Sequence, residues 1–180
     1  MDRVKLRQNV ANGDAELLMR VSQDELDALT DEILKANRIF VAGFGRAGNN
    51  VKILSMNCSQ AGLETFVCGD NSTPAIKPGD LLVIGSGSGT TKTMVILAEK
   101  AKKFGARLAL ISGNPESTIG QMADVNVWIP REFRRSPYPE DRGGSFYHVL
   151  EMVCDCVQAY VLEARGLTGK DVRYNHNNLE

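Results

Sequence analysis

The sequence predicts an α/β fold, a three-layer α/β/α sandwich built on a flavodoxin-like, five-stranded parallel sheet. Short apolar runs rich in β-branched and aromatic residues alternate with amphipathic helical stretches along most of the 180 residues. This alternation is typical of a parallel sheet with both faces covered, because right-handed crossovers place helices on either side. Two of the apolar runs also end in glycine-rich turns, as strands do where such sheets bind ligands.

The elements follow one another without an internal repeat or a linker. Apolar runs predict five strands, at residues 39–42, 65–68, 81–84, 108–111 and 125–129. Helical spacing predicts one or two helices within 14–36 and further helices at 49–62, 91–104, near 115–123 and at 145–165. We expect one domain, with leading helices in 1–37, an α/β core in 38–166 and a tail in 167–180.

Composition and charge exclude several classes of partner. The formal net charge is −1, which gives no electrostatic reason to expect nucleic acid or an anionic membrane as partner. The first residues, MDRVKLRQNV, contain no apolar segment of a secretory signal, and no stretch approaches the roughly 18 apolar residues of a membrane span. The sequence therefore predicts a cytoplasmic protein.

The cysteines and histidines do not suggest a metal site. There are four cysteines and two histidines, and no two cysteines form a C-x-x-C pair. Cys154 and Cys156 lie two apart in a predicted helix, so their side chains diverge by about 200°. We interpret the four cysteines as small buried residues in a reducing compartment, with no metal bound.

The stretch GSGSGTT at residues 85–91 indicates a phosphate site. It follows a predicted buried strand and opens a helix, where free N–H groups and the helix dipole favour an anion. The glycines let the backbone approach a ligand closely, and Ser86, Ser88 and Thr91 add hydroxyl donors. Thr90 or Thr91 is alternatively a plain helix N-cap.

The first glycine turn, GFGRAG at residues 43–48, also fits the G-x-G-x-x-G pattern of dinucleotide-binding sheets. That reading needs an acidic residue about 20 positions further on, at the end of the next strand. Glu64 comes before that strand and Asp70 lies about 25 residues after the turn. The sequence therefore does not favour a nicotinamide cofactor.

Four segments together resemble the sugar isomerase (SIS) domain family. They are VAGFGRAG at 41–48, STP at 72–74, GDLLVIGSGSGTT at 79–91 and the ending NHNNLE at 175–180. The resemblance covers nearly the whole chain. It implies a phosphosugar isomerase that interconverts hex-3-ulose 6-phosphate and fructose 6-phosphate through an enediol, with no cofactor and no metal.

The resemblance also assigns roles to residues and an assembly to the chain. Ser86, Ser88 and Thr91, with the backbone amides of Gly87 and Gly89, would bind the phosphate of a small-molecule sugar phosphate. Gly45 and Arg46 would line the opposite side. The family forms homo-oligomers, so a tetramer or dimer is implied, and His176 would reach a site shared between subunits.

Three positions depart from the family pattern. Ala47 stands where relatives have a serine in the first turn, Asn57 where they often have an arginine, and Tyr147 where they have the glutamate that acts as base. A tyrosine hydroxyl, with an ordinary pKa of about 10, is a poor base near neutral pH but an acceptable acid or carbonyl donor.

Two nearby residues are candidates for the missing base. His148 follows directly, at a helix start that favours the neutral imidazole. Glu151 lies one turn beyond Tyr147 on the same face. Each has a structural alternative: an exposed helix residue for His148, a surface or subunit-contact charge for Glu151, and packing for Tyr147.

Two further features leave alternatives open. The predicted helix at 145–165 carries more than one apolar stripe, which indicates burial against a neighbouring subunit as well as its own core. The basic loop with Arg131, Arg134, Arg135 and Arg142 is either solvated, a subunit contact or an attractor for phosphate. The alternative function is a SIS module that binds a sugar phosphate as a sensor without catalysis.

Overall fold

Five parallel strands form the centre of the molecule. The computed structural model describes residues 1–130 and 143–179. The strands are β1 (Ile39–Gly43), β2 (Thr65–Val67), β3 (Leu81–Ser86), β4 (Arg107–Ser112) and β5 (Val125–Trp128). They pair in the order β2-β1-β3-β4-β5, and each pairing is parallel. The predicted flavodoxin-like sheet is confirmed.

Helices cover both faces of this sheet. They are α1 (Arg3–Leu18), α2 (Gln23–Lys35), α3 (Gly45–Gln60), α4 (Lys92–Lys103), α5 (Phe146–Ala164) and α6 (Gly169–Tyr174). Successive strand residues point to opposite faces. Val41, Val83 and Ile111 therefore pack under α2, α3 and α5. Ala42, Ile84 and Leu110 pack under α4 on the other face, which completes the three predicted layers.

None of the helices described here has the length and apolar character needed to cross a membrane.

The predicted short helix near 115–123 is wrong. Residues 115–122 form turns and a bend between β4 and β5. The Ser117 hydroxyl accepts the Gly120 N–H at 3.2 Å, and the Asn126 side chain donates to the Gly120 carbonyl at 3.0 Å. Side chains thus satisfy backbone groups that a helix would pair with one another.

The leading helical region is longer than its leucine spacing indicates. It forms two helices, and the first begins at Arg3 because the Asp2 carboxylate accepts the N–H groups of Val4 and Lys5 at 2.9 and 3.0 Å. The tail also contains α6, which the sequence reading missed. Thr168 and Asp171 form a capping box at its start.

Candidate functional site

The two glycine turns begin at neighbouring strand ends. Gly43 at the end of β1 is the register partner of Gly85 in β3, and Ser86 is the partner of Ser112 in β4. The carboxyl edge of the sheet therefore brings both turns together, as the sequence predicts.

The first turn is held by close glycine packing. A Cβ atom at Gly48 would collide with the Gly43 carbonyl oxygen, and one at Gly43 would come within 2.8 Å of Gly48 Cα. Gly45 adopts φ of +56°, which side-chain-bearing residues rarely do. This packing seats α3 directly on the strand end and leaves Arg46 exposed at the edge.

The second turn is braced from inside by Ser86 and from behind by residues 113–119. Ser86 is buried, and its hydroxyl accepts the Gly89 N–H at 3.2 Å. Gly89 has φ of +64°, and a Cβ atom there would collide with the Ser117 side chain. The carbonyls of Gly87 and Gly89 accept N–H groups of Gly113 and Ile119 at 3.2 and 3.1 Å. Hydrogen bonds within the loop and to residues 113–119 therefore fix its position against the rest of the fold.

The groups that this loop presents outward are Ser88 and Thr91. Ser88 is exposed, and its hydroxyl accepts the Thr90 N–H at 3.3 Å. Thr91 occupies the N-cap position of α4 but makes no side-chain capping hydrogen bond to any residue of the described structure. The Thr91 hydroxyl therefore does not cap α4, and it lies at the N-terminus of this helix, the positive end of the helix dipole.

The start of α5 lies at the same edge of the sheet. Helices α3 and α5 run side by side in the same direction, as one contact near each end shows. Near the start, Asn50 Nδ2 donates to the Tyr147 carbonyl at 2.5 Å, and near the end, Arg165 donates to the Ala61 carbonyl at 2.7 Å. The Arg46 guanidinium lies 3.9 Å from the centre of the Tyr147 ring. Glu151 Oε2 is 3.4 Å from Asn50 Nδ2. Arg46, Tyr147 and Glu151 are therefore grouped here.

A carboxylate that the sequence analysis did not identify also lies beside the start of α5. Asp14, near the end of α1, is buried with 4% of its surface exposed. One of its oxygens accepts the Ser145 N–H at 2.6 Å, and the other is 2.7 Å from His148 Nδ1. Because the partners are more than 130 residues apart, no local pattern indicates the pair.

His176 lies apart from this group within one chain. Its neighbour Asn175 donates to the carbonyl of Gln60, the last residue of α3, at 3.1 Å. Since α3 rises roughly 22 Å from Gly45 to Gln60, the tail attaches at the end remote from Arg46 and Tyr147. The structure therefore does not bring His176 together with the other predicted site residues of the same chain.

The departures at Ala47 and Asn57 are accommodated by packing. Ala47 is buried in the core cluster beneath α5. Asn57 is buried between α3 and α5, where its amide donates to the Asp155 carboxylate at 3.0 Å. Asn57 thus joins two helices. The predicted basic loop at Arg131, Arg134, Arg135 and Arg142 lies outside the described residues.

An apolar cavity of about 230 Å³ lies away from this edge, under α4. Phe40, Leu82 and Phe104 line it, together with Cys68.

Burial raises the pKa of the Cys68 thiol to about 11 and that of Cys58 to about 12, so both are protonated near neutral pH. In residues 1–130 and 143–179, no three His, Cys, Asp or Glu side chains are grouped as metal ligands would be.

Known proteins resemble this chain over most of its length. It is 35% identical over 165 residues to the 3-hexulose-6-phosphate isomerase of Bacillus subtilis, a match that covers 89% of each chain. It is 36% identical over 170 residues to the enzyme of that name from Mycobacterium gastri, covering 92% of this chain and 85% of the relative.

A solved structure is similar in fold and sequence. It is a hypothetical protein from Methanococcus jannaschii, for which a function as 3-hexulose-6-phosphate isomerase was inferred from the structure. The TM-score is 0.77 at 26% identity, and the match covers 88% of this chain and 87% of that one. The family model for the SIS domain matches residues 32–133. These matches confirm the resemblance found in the sequence, and the chain belongs to the SIS domain family.

Proposed function

We propose that this protein is a phosphosugar isomerase that interconverts hex-3-ulose 6-phosphate and fructose 6-phosphate. Relatives of that activity match about nine-tenths of the chain at 35 and 36% identity. The observation that carries the proposal is the meeting of both glycine turns and the α5 start at one edge of the sheet. An anion-binding loop and a cluster of acid–base groups are what this reaction requires.

The loop at residues 86–91 binds the phosphate in this proposal. Ser88 and Thr91 supply hydroxyl donors at the start of α4, and Gly87 and Gly89 allow close approach of the backbone. Ser86 holds the loop in shape through Gly89, while its own O–H can still donate. Gly45 and Arg46 line the facing side.

The chemistry moves one proton between adjacent carbons. A base takes the proton from C2 of hex-3-ulose 6-phosphate, and the C2–C3 double bond of an enediol forms. The protonated base exchanges with solvent and then gives a proton to C3, as the O2 hydroxyl proton shifts to O3. The carbonyl thereby moves from C3 to C2, and no oxidant or reductant is needed. Tyr147, His148 and Glu151 are the acid–base groups that the start of α5 offers.

We also propose a cytoplasmic homo-oligomer, a tetramer or dimer, in which His176 of one subunit serves the site of another. In support, the tail attaches at the far end of α3 from Arg46 within one chain. Met56 on α3 and Ile96 on α4 are large apolar side chains that are about half exposed, and a neighbouring subunit would cover such residues. A monomeric mass in light scattering at micromolar concentration would contradict the assembly.

The experiment that tests the function is deuterium exchange. Fructose 6-phosphate is incubated with the protein in D₂O, and mass spectrometry or proton NMR follows deuterium at C3. We expect incorporation, together with a rise in Tm because a ligand stabilises the state it binds. Ser88→Ala should weaken both effects, while Ser59→Ala, an exposed serine near the far end of α3, should not. A rise in Tm without exchange would instead favour the sensor. The absence of both the rise in Tm and the exchange would contradict both functions.

A further inference from the structure

A buried carboxylate from α1 contacts the imidazole at the start of α5. Asp14 is only 4% exposed, and each of its two carboxylate oxygens has a hydrogen-bond partner. One accepts the Ser145 N–H at 2.6 Å, and the other is 2.7 Å from His148 Nδ1. A buried charge is expensive unless hydrogen bonds and an opposing dipole compensate it, and the N-terminus of α5 supplies both.

Glycines make this contact between the two helices possible. A Cβ atom at Gly13 would collide with the backbone N of Gly144, and one at Gly143 would come within 2.6 Å of the Asn9 carbonyl. Gly144 has φ of +65°. The backbone of α1 therefore lies against residues 143–144 with no side chain between them, which delivers the next residue, Asp14, to the start of α5.

The geometry sets the tautomer of the imidazole. A carboxylate is an acceptor, so the 2.7 Å contact requires the proton on His148 Nδ1. In the neutral ring the lone pair then lies on Nε2, the nitrogen on the other side of a side chain that is 52% exposed. A neutral imidazole held in this way is equipped to accept a proton from a ligand.

The other acid–base candidates here are engaged differently. Glu151 faces Asn50 on α3, and the Tyr147 ring lies under the Arg46 guanidinium. The charged and titratable groups in contact with the start of α5 include Asp14 on α1 and Arg46 on α3, and Tyr147 and Glu151 neighbour His148 along α5 itself.

We propose that His148 is the base that moves the proton between C2 and C3, and that Asp14 is the positioning residue that holds its Nε2 lone pair towards the sugar. The inference rests on the proposed isomerase function. Nε2 gains a proton from C2, exchanges it with solvent and gives a proton to C3, so the imidazole passes through a cationic form that Asp14 stabilises and is neutral again at the end of each turnover. Tyr147 then remains a donor to the carbonyl oxygen.

Kinetics of two variants test the pair. His148→Gln should lower kcat by about 100-fold or more, and Asp14→Asn by about 10-fold to 100-fold, with KM within about threefold of the parent. The acid limb of the kcat/KM profile against pH should disappear in His148→Gln. Glu25→Gln is the matched control, because Glu25 also bonds a backbone N–H across elements, that of Trp128 at 2.8 Å. It should keep both kcat and the acid limb.

A direct readout of the tautomer separates orientation from folding. Nitrogen-15 NMR of the parent should show the proton on His148 Nδ1, and Asp14→Asn should shift it towards Nε2 because the amide can present a donor. An active parent whose variants keep kcat, or a proton already on Nε2, would overturn the inference and leave the isomerase function intact. A parent that catalyses no exchange of fructose 6-phosphate would overturn the function and the inference with it.

Discussion

The guanidinium carbon of Arg46 lies 3.9 Å from the centre of the Tyr147 ring. A cation placed over an aromatic face is attracted to it, so this contact joins the start of α3 to the start of α5. Arg46 is exposed and would otherwise sample many rotamers. Holding it in place beforehand reduces the entropy that a bound sugar phosphate would have to overcome.

Replacing Arg46 should therefore weaken substrate binding more than it slows chemistry. We expect Arg46→Gln to raise KM for fructose 6-phosphate about tenfold, which corresponds to about 1.4 kcal/mol, and to change kcat much less. Lys52→Gln removes the same charge from an exposed position on the same helix and should leave KM nearly unchanged. Steady-state kinetics at constant ionic strength measure both, and equal effects of the two variants would show that only net charge matters.

The loop at residues 86–91, which we propose binds the phosphate, should tolerate no side chain at Gly89. Its φ of +64° is strained for an L-residue, and a Cβ atom would collide with Ser117. We expect Gly89→Ala to lower the free energy of unfolding by about 1–3 kcal/mol and to abolish the rise in Tm with fructose 6-phosphate. Gly169→Ala is the control, since Gly169 has open space around it. Urea unfolding with and without the ligand gives both numbers, and a Gly89→Ala protein that still binds would contradict the loop's role.

The sequence predicts the sheet and both turns well because their signals are local. Strand runs, helical spacing and glycines at strand ends all lie within a few residues of one another, and parallel topology then brings the turns together. The Asp14–His148 pair and the contact of Arg46 with Tyr147 depend on how α1, α3 and α5 pack. Such contacts between distant segments leave no periodic trace in the chain.

One local error has an equally physical cause. Residues 115–123 have a composition that permits a helix, but Ser117 and Asn126 satisfy the backbone of Gly120 instead. Ser86 has a further role that the motif does not indicate, because it is buried and its hydroxyl accepts the Gly89 N–H, which maintains the loop. Burial of that kind is decided by tertiary structure.

Thr91 should matter for binding and not for folding. It stands at the N-cap of α4, yet within the residues described its side chain forms no capping bond. Thr91→Val keeps the shape and removes the hydroxyl, so we expect the free energy of unfolding to change by less than about 0.5 kcal/mol. Affinity for fructose 6-phosphate should fall about 3-fold to 10-fold. Thr93→Val, at the second residue of α4 and exposed, is the matched control. Calorimetric titration and urea unfolding separate the two effects, and a destabilised Thr91→Val protein would restore the cap interpretation.

Asp124 anchors the junction of α4, β4 and β5 and should make stability depend on acid pH. Its carboxylate accepts hydrogen bonds from the Lys102 ammonium at 2.9 Å, the Leu108 N–H at 2.8 Å and the Arg107 guanidinium at 3.1 Å. Partial burial by itself would raise the pKa of Asp124. The hydrogen bonds from Lys102 and Leu108, with the two positive charges, outweigh that effect and hold the pKa below the ordinary value of 3.8.

A folded-state pKa below the unfolded value means that ionised Asp124 stabilises the fold. That stabilisation is complete above the unfolded pKa and is lost as the pH falls through the folded pKa. We expect Asp124→Asn to lower the free energy of unfolding by about 1–2 kcal/mol near neutral pH, by the same amount at about pH 5, and by progressively less below about pH 4. Asp31→Asn is the control, because its ion pair with Lys35 spans 3.4 Å between side chains that are 65% and 68% exposed, and such pairs contribute little. Urea unfolding of parent and variants across this range measures the difference, and a loss that stays constant down to about pH 3 would mean that Asp124 acts through its shape and not through its charge.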